Sequence, residues 1–448
     1  MALVQPQGGQ LIVHARFTPL GNVAGPMLLW GLLQFCIAAA WAAPESLTLA
    51  QAERLFEQHS RELLLAHKAV EAAEADSISA AARPNPNLTL SGAQIGNLYP
   101  PAYDRTRLDR RADLVFGLNQ LFERGGKREL RMAAAKANAQ ATRFDQGDTR
   151  RTQLLALRSA YYDLVLAQEK VRNAALTSAT QRKTLEAVAL RLKAGDIAAS
   201  DVARIRVDAL RAENDARLAR AEVERAQTAL AYLIGREAQA RGLEAADDWP
   251  RLDGNFPHPD LEQVLQARPD VAAALARVQT AERQRELALA QRTRDVTGSV
   301  QFERAPWNPY AGPTAANSVG FGVSIPLFTN YYYEGEIRRA EVDLDAARTN
   351  VDRVRALALG EIQSARADLD SAADRLRRFD ADLLQQAAKA ADAAEFAYGQ
   401  GAIGVMDLLD ARRQLYATRL EASNARADYA KAYAAWRAAT EPASATIR

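Results

Sequence analysis

Asp407 and Asp410 stand three residues apart, directly after a turn centred on Gly401. That interval puts both carboxylates on one face of a helix, where paired negative charge attracts cations. The plainer reading is a pair of acids at a helix start, favoured there by the macrodipole. Asp201 follows Gly195 in the same way, but Arg204 stands where a second acid would be. The histidines offer less. Beyond residue 42 they are His59, His67 and His258, and no cysteine or acidic cluster joins them. His59 and His67, eight residues apart, would share a helical face at roughly 12 Å. No nucleophile–base set or phosphate loop occurs, and the acids follow the charge pattern of solvated helix faces. An enzyme is therefore the least favoured class, and neither a cofactor nor a resident metal is expected.

The acids belong to a recurring element. The stretch RLKAGDIAASDV (191–202) returns 206 residues later as YGQGAIGVMDLL (398–409), with Gly195, Ile197 and Asp201 becoming Gly401, Ile403 and Asp407. Other matches keep offsets of 205 to 208: Val70 with Val278, Phe116-Gly117 with Phe321-Gly322, Leu121-Phe122 with Leu327-Phe328. The chain is a tandem duplication. We expect a first unit over 43–248, a linker over 249–259, a second unit over 260–440 and a tail over 441–448.

Each unit begins with a helix (48–82; 260–292), seen in apolar positions such as Leu55, Leu63 and Val70. Two strands follow, at 87–95 and 112–122 in the first unit and 295–304 and 317–328 in the second. Proline is absent from 102 to 249 and from 327 to 441. Long helices over 127–193 and 334–398 are therefore expected, each of about 65 residues and about 100 Å. Glycine stops each of them, and a second helix returns (200–234; 405–438). Helices that long must run beside others, with alanine and leucine in the seams.

The 448 residues carry a net charge of +2, so no bulk electrostatic partner such as nucleic acid is implied. Residues 27–42, MLLWGLLQFCIAAAWA, end in an A-x-A pattern and fit a secretory signal peptide over 1–42. Met27 is an alternative start. A short buried helix and an uncleaved anchor are the competing readings. The single cysteine, Cys36, lies inside this segment, and Gln34 and Phe35 before it do not suit lipidation. The mature chain would hold no thiol for disulfides, metals or nucleophilic attack.

Strands of 9–11 residues match what a tilted strand needs to cross a bilayer. They alternate at Leu114, Phe116, Leu118 and at Val319, Phe321, Val323, Ile325. Four strands cannot close a barrel, and an open edge in lipid leaves unpaired backbone groups. Several chains would have to pool their strands; two, three or four remain open on this ground alone. Two soluble hairpins packed on helices are the alternative. Beyond residue 42 no 18-residue apolar segment occurs.

Taken together, the apolar leader, the duplicated helix–strand–strand–helix–helix unit and the paired turns resemble the TolC family of outer-membrane efflux channels. The most specific pieces are RPDV (268–271), SIPLF (324–328) and YGQGAIGVMDLLDARRQLY (398–416). LFERGGKRELR (121–131) resembles the heavy-metal, CzcC-like branch. The resemblance implies a mainly helical fold with a small β portion: a homotrimer whose twelve strands form an outer-membrane barrel, continued by a periplasmic helical barrel. It implies a passive duct joined to a periplasmic adaptor and an inner-membrane pump of the resistance-nodulation-division type. Asp407 and Asp410 match the family's periplasmic gate, with Asp201 as the weaker counterpart, and Tyr398 matches a gate-locking tyrosine. The arginine that often serves that lock is replaced by Ile403, leaving Arg204 or Arg412 as substitutes. Gly195, Asp196, Ile197, Gly401, Ala402 and Ile403 would meet the adaptor. Trp307, Tyr310, Tyr99 and Tyr331–Tyr333 suit an aromatic belt. The expected cargo is a divalent metal cation of the cobalt, zinc or cadmium type; organic toxins or secreted protein, and a periplasmic coiled-coil scaffold, are the alternatives.

Overall fold

The computed structural model describes residues 45–93, 113–252, 256, 260–305 and 316–441. The apolar leader with Cys36, the loop residues Tyr99, Trp307 and Tyr310, His258 and the tail beyond residue 441 lie outside them. The chain divides after Glu45; residues from Ser46 onward form one compact unit. Among the described residues no helix is long and apolar enough to cross a membrane.

Two short helices open each repeat where one was expected. In the first, α1 (Leu49–His59) and α2 (Arg61–Ala81) are parted by Ser60, whose extended backbone and Oγ cap the second helix. In the second, α5 (Leu261–Ala267) and α6 (Pro269–Ala290) are parted by Arg268. Proline forces the residue before it out of the helical region and suits a first helical position. Ser60 and Arg268 are related by an offset of 208, so the break itself is duplicated. It also separates His59 from His67. They do not share one helix face: His59 Nδ1 meets the Leu55 carbonyl, whereas His67 pairs with Glu71 at 3.2 Å.

The long helices come as expected. The longest, α3 (Lys127–Ala194), has 68 residues and returns as α4 (Ala199–Ile234). In the second repeat α7 (Glu334–Arg378) continues through a π-helical turn at Phe379–Leu383 into α8 (Leu384–Gly399), and α9 (Val405–Thr440) returns. Buried positions of α7 run Ile337, Ala340, Leu344, Val351, Ala358, Ile362, Ala365, Leu369. Steps of three, four and seven are a heptad seam, the pattern of helices packed side by side. Accordingly α3 packs against α2, α4, α6 and α9, and α7 against α6 and α9.

The widest apolar cluster gathers Phe56, Leu157, Tyr161, Leu164, Leu230 and Ile234. A short strand pair missed in the sequence edges it: β1 (Glu45–Leu47) and β4 (Leu243–Ala245). The Leu47 carbonyl accepts from Ala246 N and from the Tyr161 hydroxyl, which in turn accepts from Asp247 N. Burial pushes the Tyr161 phenol up to about 12. Of the segment expected to link the repeats, the described residues Trp249 and Phe256 are packed on the helices. Trp249 stacks on Tyr162 and donates to Glu169, while Phe256 packs on Tyr433 and Trp436.

RPDV holds four elements together. Arg268 grips Asp270 through two hydrogen bonds of 3.1 and 2.7 Å, Glu361 of α7 at 2.6 Å and the Ala439 carbonyl of α9 at 3.2 Å. Arg151 of α3 reaches the other oxygen of Glu361 at 2.9 Å. Burial alone would raise both carboxyls, but the arginine hydrogen bonds outweigh it and hold Asp270 and Glu361 below the usual range. A depressed carboxylate contributes stability above its unfolded pKa and loses it as pH falls through the folded value. The thermal midpoint should therefore drop on acidification below about pH 4, and Arg268→Ala should flatten that dependence. A wild-type midpoint unchanged between about pH 5 and pH 3 would contradict this.

The remaining strands form one antiparallel sheet in the order β2 (Asn87–Ala93), β3 (Asp113–Phe122), β5 (Val296–Ala305), β6 (Ala316–Ser324). The last strand stops short of the expected residue 328. Pro326 cannot donate to a ladder, and Ile325 before it is constrained as well.

Candidate functional site

The register sorts this sheet into two unlike faces. Directly paired residues share a face. One row across the four strands is Leu88, Leu118, Val300, Phe321, and the next is Leu90, Phe116, Phe302, Val319. The opposite face carries Asn87, Asn119, Ser299, Gly322 and then Thr89, Gly117, Gln301, Gly320. The apolar face is bare: Phe321 is 82% exposed, Leu88 76% and Val323 72%. Glycines on the polar face make room for their neighbours. A Cβ on Gly117 would lie 2.5 Å from Thr89 Oγ1, and one on Gly322 2.6 Å from Ser299 Oγ. The outer edges of β2 and β6 have no strand partner among the described residues. A bare apolar face, a polar face and two open edges are what a sheet needs to become part of a barrel wall in lipid.

LFERGGKRELR forms the junction from this sheet to α3. Gly125 and Gly126 both take positive φ, and a Cβ on Gly125 would press on Thr293 at 2.8 Å. Lys127 is 5% exposed, and its ammonium donates to the Thr293 carbonyl and to both Asp295 oxygens at 2.8–2.9 Å. Arg128 donates to the Ala81 carbonyl, and Arg131 to Glu123 and to the carbonyls of Ala80 and Ala82. Lys127, Arg128 and Arg131 thus tie the start of α3 to the end of α2 and to the segments flanking the strands, while Arg124 is engaged only through its backbone N–H, with Asp295. In the second repeat Tyr333 takes the positive φ of Gly126, beside Phe328, Tyr331 and Tyr332. Tyr331 and Tyr332 are about half exposed.

At the far end of α3 and α8 the two turns repeat in detail. Gly195 has φ 83°; Gly195 N donates to the Leu192 carbonyl and Asp196 N to that of Arg191. Gly401 has φ 71°; Gly401 N donates to Tyr398 and Ala402 N to Ala397. These are paired Schellman closures, and positive φ makes glycine the fitting residue. Asp196, Gly195, Gly401 and Ala402 are exposed, and Ile197 and Ile403 half-buried. Val188, Ile205, Val405 and Leu409 make an apolar plug between the hairpins, joined by Ile197 and Tyr398.

Asp407 and Asp410 are both exposed beside this plug. Asp407 accepts from Gly404 N at 3.2 Å, the helix-start role, and Asp410 pairs with Arg413 at 2.7 Å. Asp201 is half-buried in the first turn of α4. The expected arginine substitutes for the lock are corrected. Arg204 is exposed, and Arg412 binds Thr184 of α3 at 2.9 Å and Glu395 of α8 at 3.2 Å. Tyr398 is met instead by Arg191 of the other hairpin. Its Nη1 donates to the hydroxyl at 2.9 Å, and its guanidinium lies 5.2 Å from the ring centroid. The sequence hid Arg191 because a cation in a last helical turn reads as a partner of the macrodipole. Among the described residues, no group of three or more His, Cys, Asp and Glu is placed to hold a metal ion.

A family model described as outer membrane efflux protein matches residues 54–236 and 261–440. The cobalt-zinc-cadmium resistance protein CzcC of Cupriavidus metallidurans is 28% identical over 321 residues, covering 68% of this chain and 71% of that protein. The pyoverdine export outer membrane protein OpmQ of Pseudomonas aeruginosa is 27% identical over 410 residues, covering 85% and 81%. Among solved structures, the outer membrane protein VceC of Vibrio cholerae superposes with a TM-score of 0.70 at 21% identity, over 88% of this chain and 96% of that one.

Proposed function

This chain belongs to the outer membrane efflux protein family, and from that membership we propose that three copies form a gated exit duct for divalent metal cations. The family's members are channels of the outer membrane, not enzymes. The observation that carries the reading is the sheet: one bare apolar face, one polar face and two open edges. Joining β2 of one copy to β6 of the next would close twelve strands without an unpaired edge. The helices would continue the duct through the periplasm, and the six turns would form its mouth. Gly195, Asp196, Ile197, Gly401, Ala402 and Ile403 would there meet a periplasmic adaptor, which would couple the duct to an inner-membrane pump of the resistance-nodulation-division type.

Closure at the mouth would rest on the Arg191–Tyr398 contact. An exposed cation–π pair contributes about 0.5–1 kcal/mol. Three copies would hold the mouth shut by about 2 kcal/mol, weak enough for a docking partner to release. Asp407, Asp410 and, less directly, Asp201 would line the opening with negative charge. Asp407→Ala with Asp410→Ala should raise single-channel conductance in planar bilayers and weaken block by multivalent cations. Unchanged conductance and block would remove these acids from the gate.

The metal cargo rests on likeness to CzcC and on the acids at the mouth. Organic export is the second reading, favoured by OpmQ, which matches more of the chain at nearly equal identity. Growth of a deletion strain across graded zinc, cobalt and cadmium, beside iron-chelating siderophores and dyes, separates them. Selective metal sensitivity supports the first; sensitivity to organic compounds alone supports the second.

A further inference from the structure

The apolar face of the sheet changes character at the end nearest the long helices. There Phe122 of β3 pairs with Val296 of β5, and Phe122 and Leu327 are 57% and 72% exposed. Two positions beyond that pair, toward the helices, stand Arg124 and Arg294. Arg124 N donates to Asp295 Oδ1 at 3.0 Å, which brings the Arg124 backbone against the residue next to Arg294. The Arg294 guanidinium lies 5.6 Å from the Phe328 ring centroid, and Phe328 packs edge-on against Tyr332. Arg292 Nε donates to the Tyr332 carbonyl at 3.2 Å. The carboxylates of this region are committed elsewhere: Asp295 to Lys127 and Arg124 N, Glu123 to Arg131, Glu336 to the Tyr331 hydroxyl and Glu334 to Tyr332 N. Arg292 acts on Glu334 only through space. Among the described residues Arg124, Arg292 and Arg294 make no ion pair.

Three guanidinium groups without an ion pair thus border bare apolar surface and two half-exposed tyrosines, the residue type that sits at headgroup level. Water would meet the arginines and leave Phe122 and Leu327 bare, and hydrocarbon would do the reverse. We propose that this rim binds anionic phospholipid, with acyl chains along Phe122 and Leu327 and the headgroup phosphate against Arg124 and Arg294. Arginine suits phosphate because its planar fork can donate two parallel hydrogen bonds. The inference rests on the proposed function, in which the sheet lies in the outer membrane and this end meets the periplasmic leaflet. A basic residue near a membrane surface favours anionic over neutral lipid about fivefold, so Arg124 and Arg294 together should give about 25-fold.

The test titrates the full-length oligomer in dodecyl maltoside with dioleoyl-phosphatidylglycerol and, separately, dioleoyl-phosphatidylcholine, and counts retained lipid by native mass spectrometry. Phosphatidylglycerol should be held about 25-fold more tightly. Arg124→Gln with Arg294→Gln should abolish that preference and leave phosphatidylcholine binding unchanged, whereas lysine at both positions should keep most of it. The Arg124 side chain makes no hydrogen bond or ion pair among the described residues. Arg124→Gln alone, expected to lose about fivefold, therefore keeps the test readable if the double variant fails to assemble. Equal affinity of the wild type for the two lipids, or a preference that survives both glutamines, overturns this proposal alone when the oligomer still inserts into phosphatidylcholine vesicles. Failure to insert into vesicles of either lipid overturns the proposed function with it.

Discussion

Lys127→Met is expected to destabilise the protein by about 3–5 kcal/mol, the loss that follows removing one partner of a buried ion pair. The ammonium is 5% exposed and Asp295 is 23% exposed, so little water can replace the lost contacts. The methionine stem fills the same space, which isolates charge from packing. Asp295 would keep only Arg124 N as a donor, at 3.0 Å. The measurement is chemical unfolding of the detergent-solubilised protein, with Asp295→Asn added to complete a double-mutant cycle. The double variant should recover part of the loss. A single-variant cost under about 1 kcal/mol would mean the pair behaves as a surface ion pair and the junction is held by other contacts.

Phe321→Arg should cost about 2–4 kcal/mol per chain if the apolar face meets lipid, as a charge near the bilayer midplane does. Its counterpart on the other face, Gln301→Arg, should cost far less, since that face would look into water. The two residues lie on paired strands one register step apart, Gln301 opposite Gly320 and Val300 opposite Phe321. Outer-membrane fractions run on gels without boiling should lack the assembled oligomer for the Phe321 variant and retain it for the Gln301 variant. Equal tolerance of both would mean the sheet packs in water.

Much of this architecture was legible because its signals are local or periodic. Glycine at 195 and 401 fixes where helices end, since the Schellman closure needs positive φ there. Alternation marks the strands, and the long interval without proline marks α3. What escaped depends on contacts made across the fold. Ser60 sits inside an apolar helical pattern, and only its extended backbone reveals the break. Arg268-Pro269 carries a signal, a residue before proline, within a helical pattern that runs on either side of it. The three-residue strands β1 and β4 are too short for periodicity, and the buried Tyr161 hydroxyl ties the Leu47 carbonyl of β1 to Asp247 N just past β4. The GGKR piece resembles the heavy-metal branch in sequence, and in the fold its Lys127 and Arg128, with Arg131 beyond it, hold the junction. At the mouth the glycines and Asp407 were visible one by one. The Arg191–Tyr398 contact was not, because it joins residues 207 positions apart in separate hairpins.

In the proposed function, three copies of this chain form a transmembrane duct held shut at its helix tips. Single-channel recording of the purified oligomer in planar bilayers, wild type beside Arg191→Ala, tests it most directly. Losing three exposed cation–π contacts should raise the open population about tenfold or more. Small, infrequent openings are expected for the wild type and larger, frequent ones for the variant, with the same oligomeric state. Indistinguishable traces would contradict the tip lock, and no conductance from either inserted oligomer would contradict the duct itself.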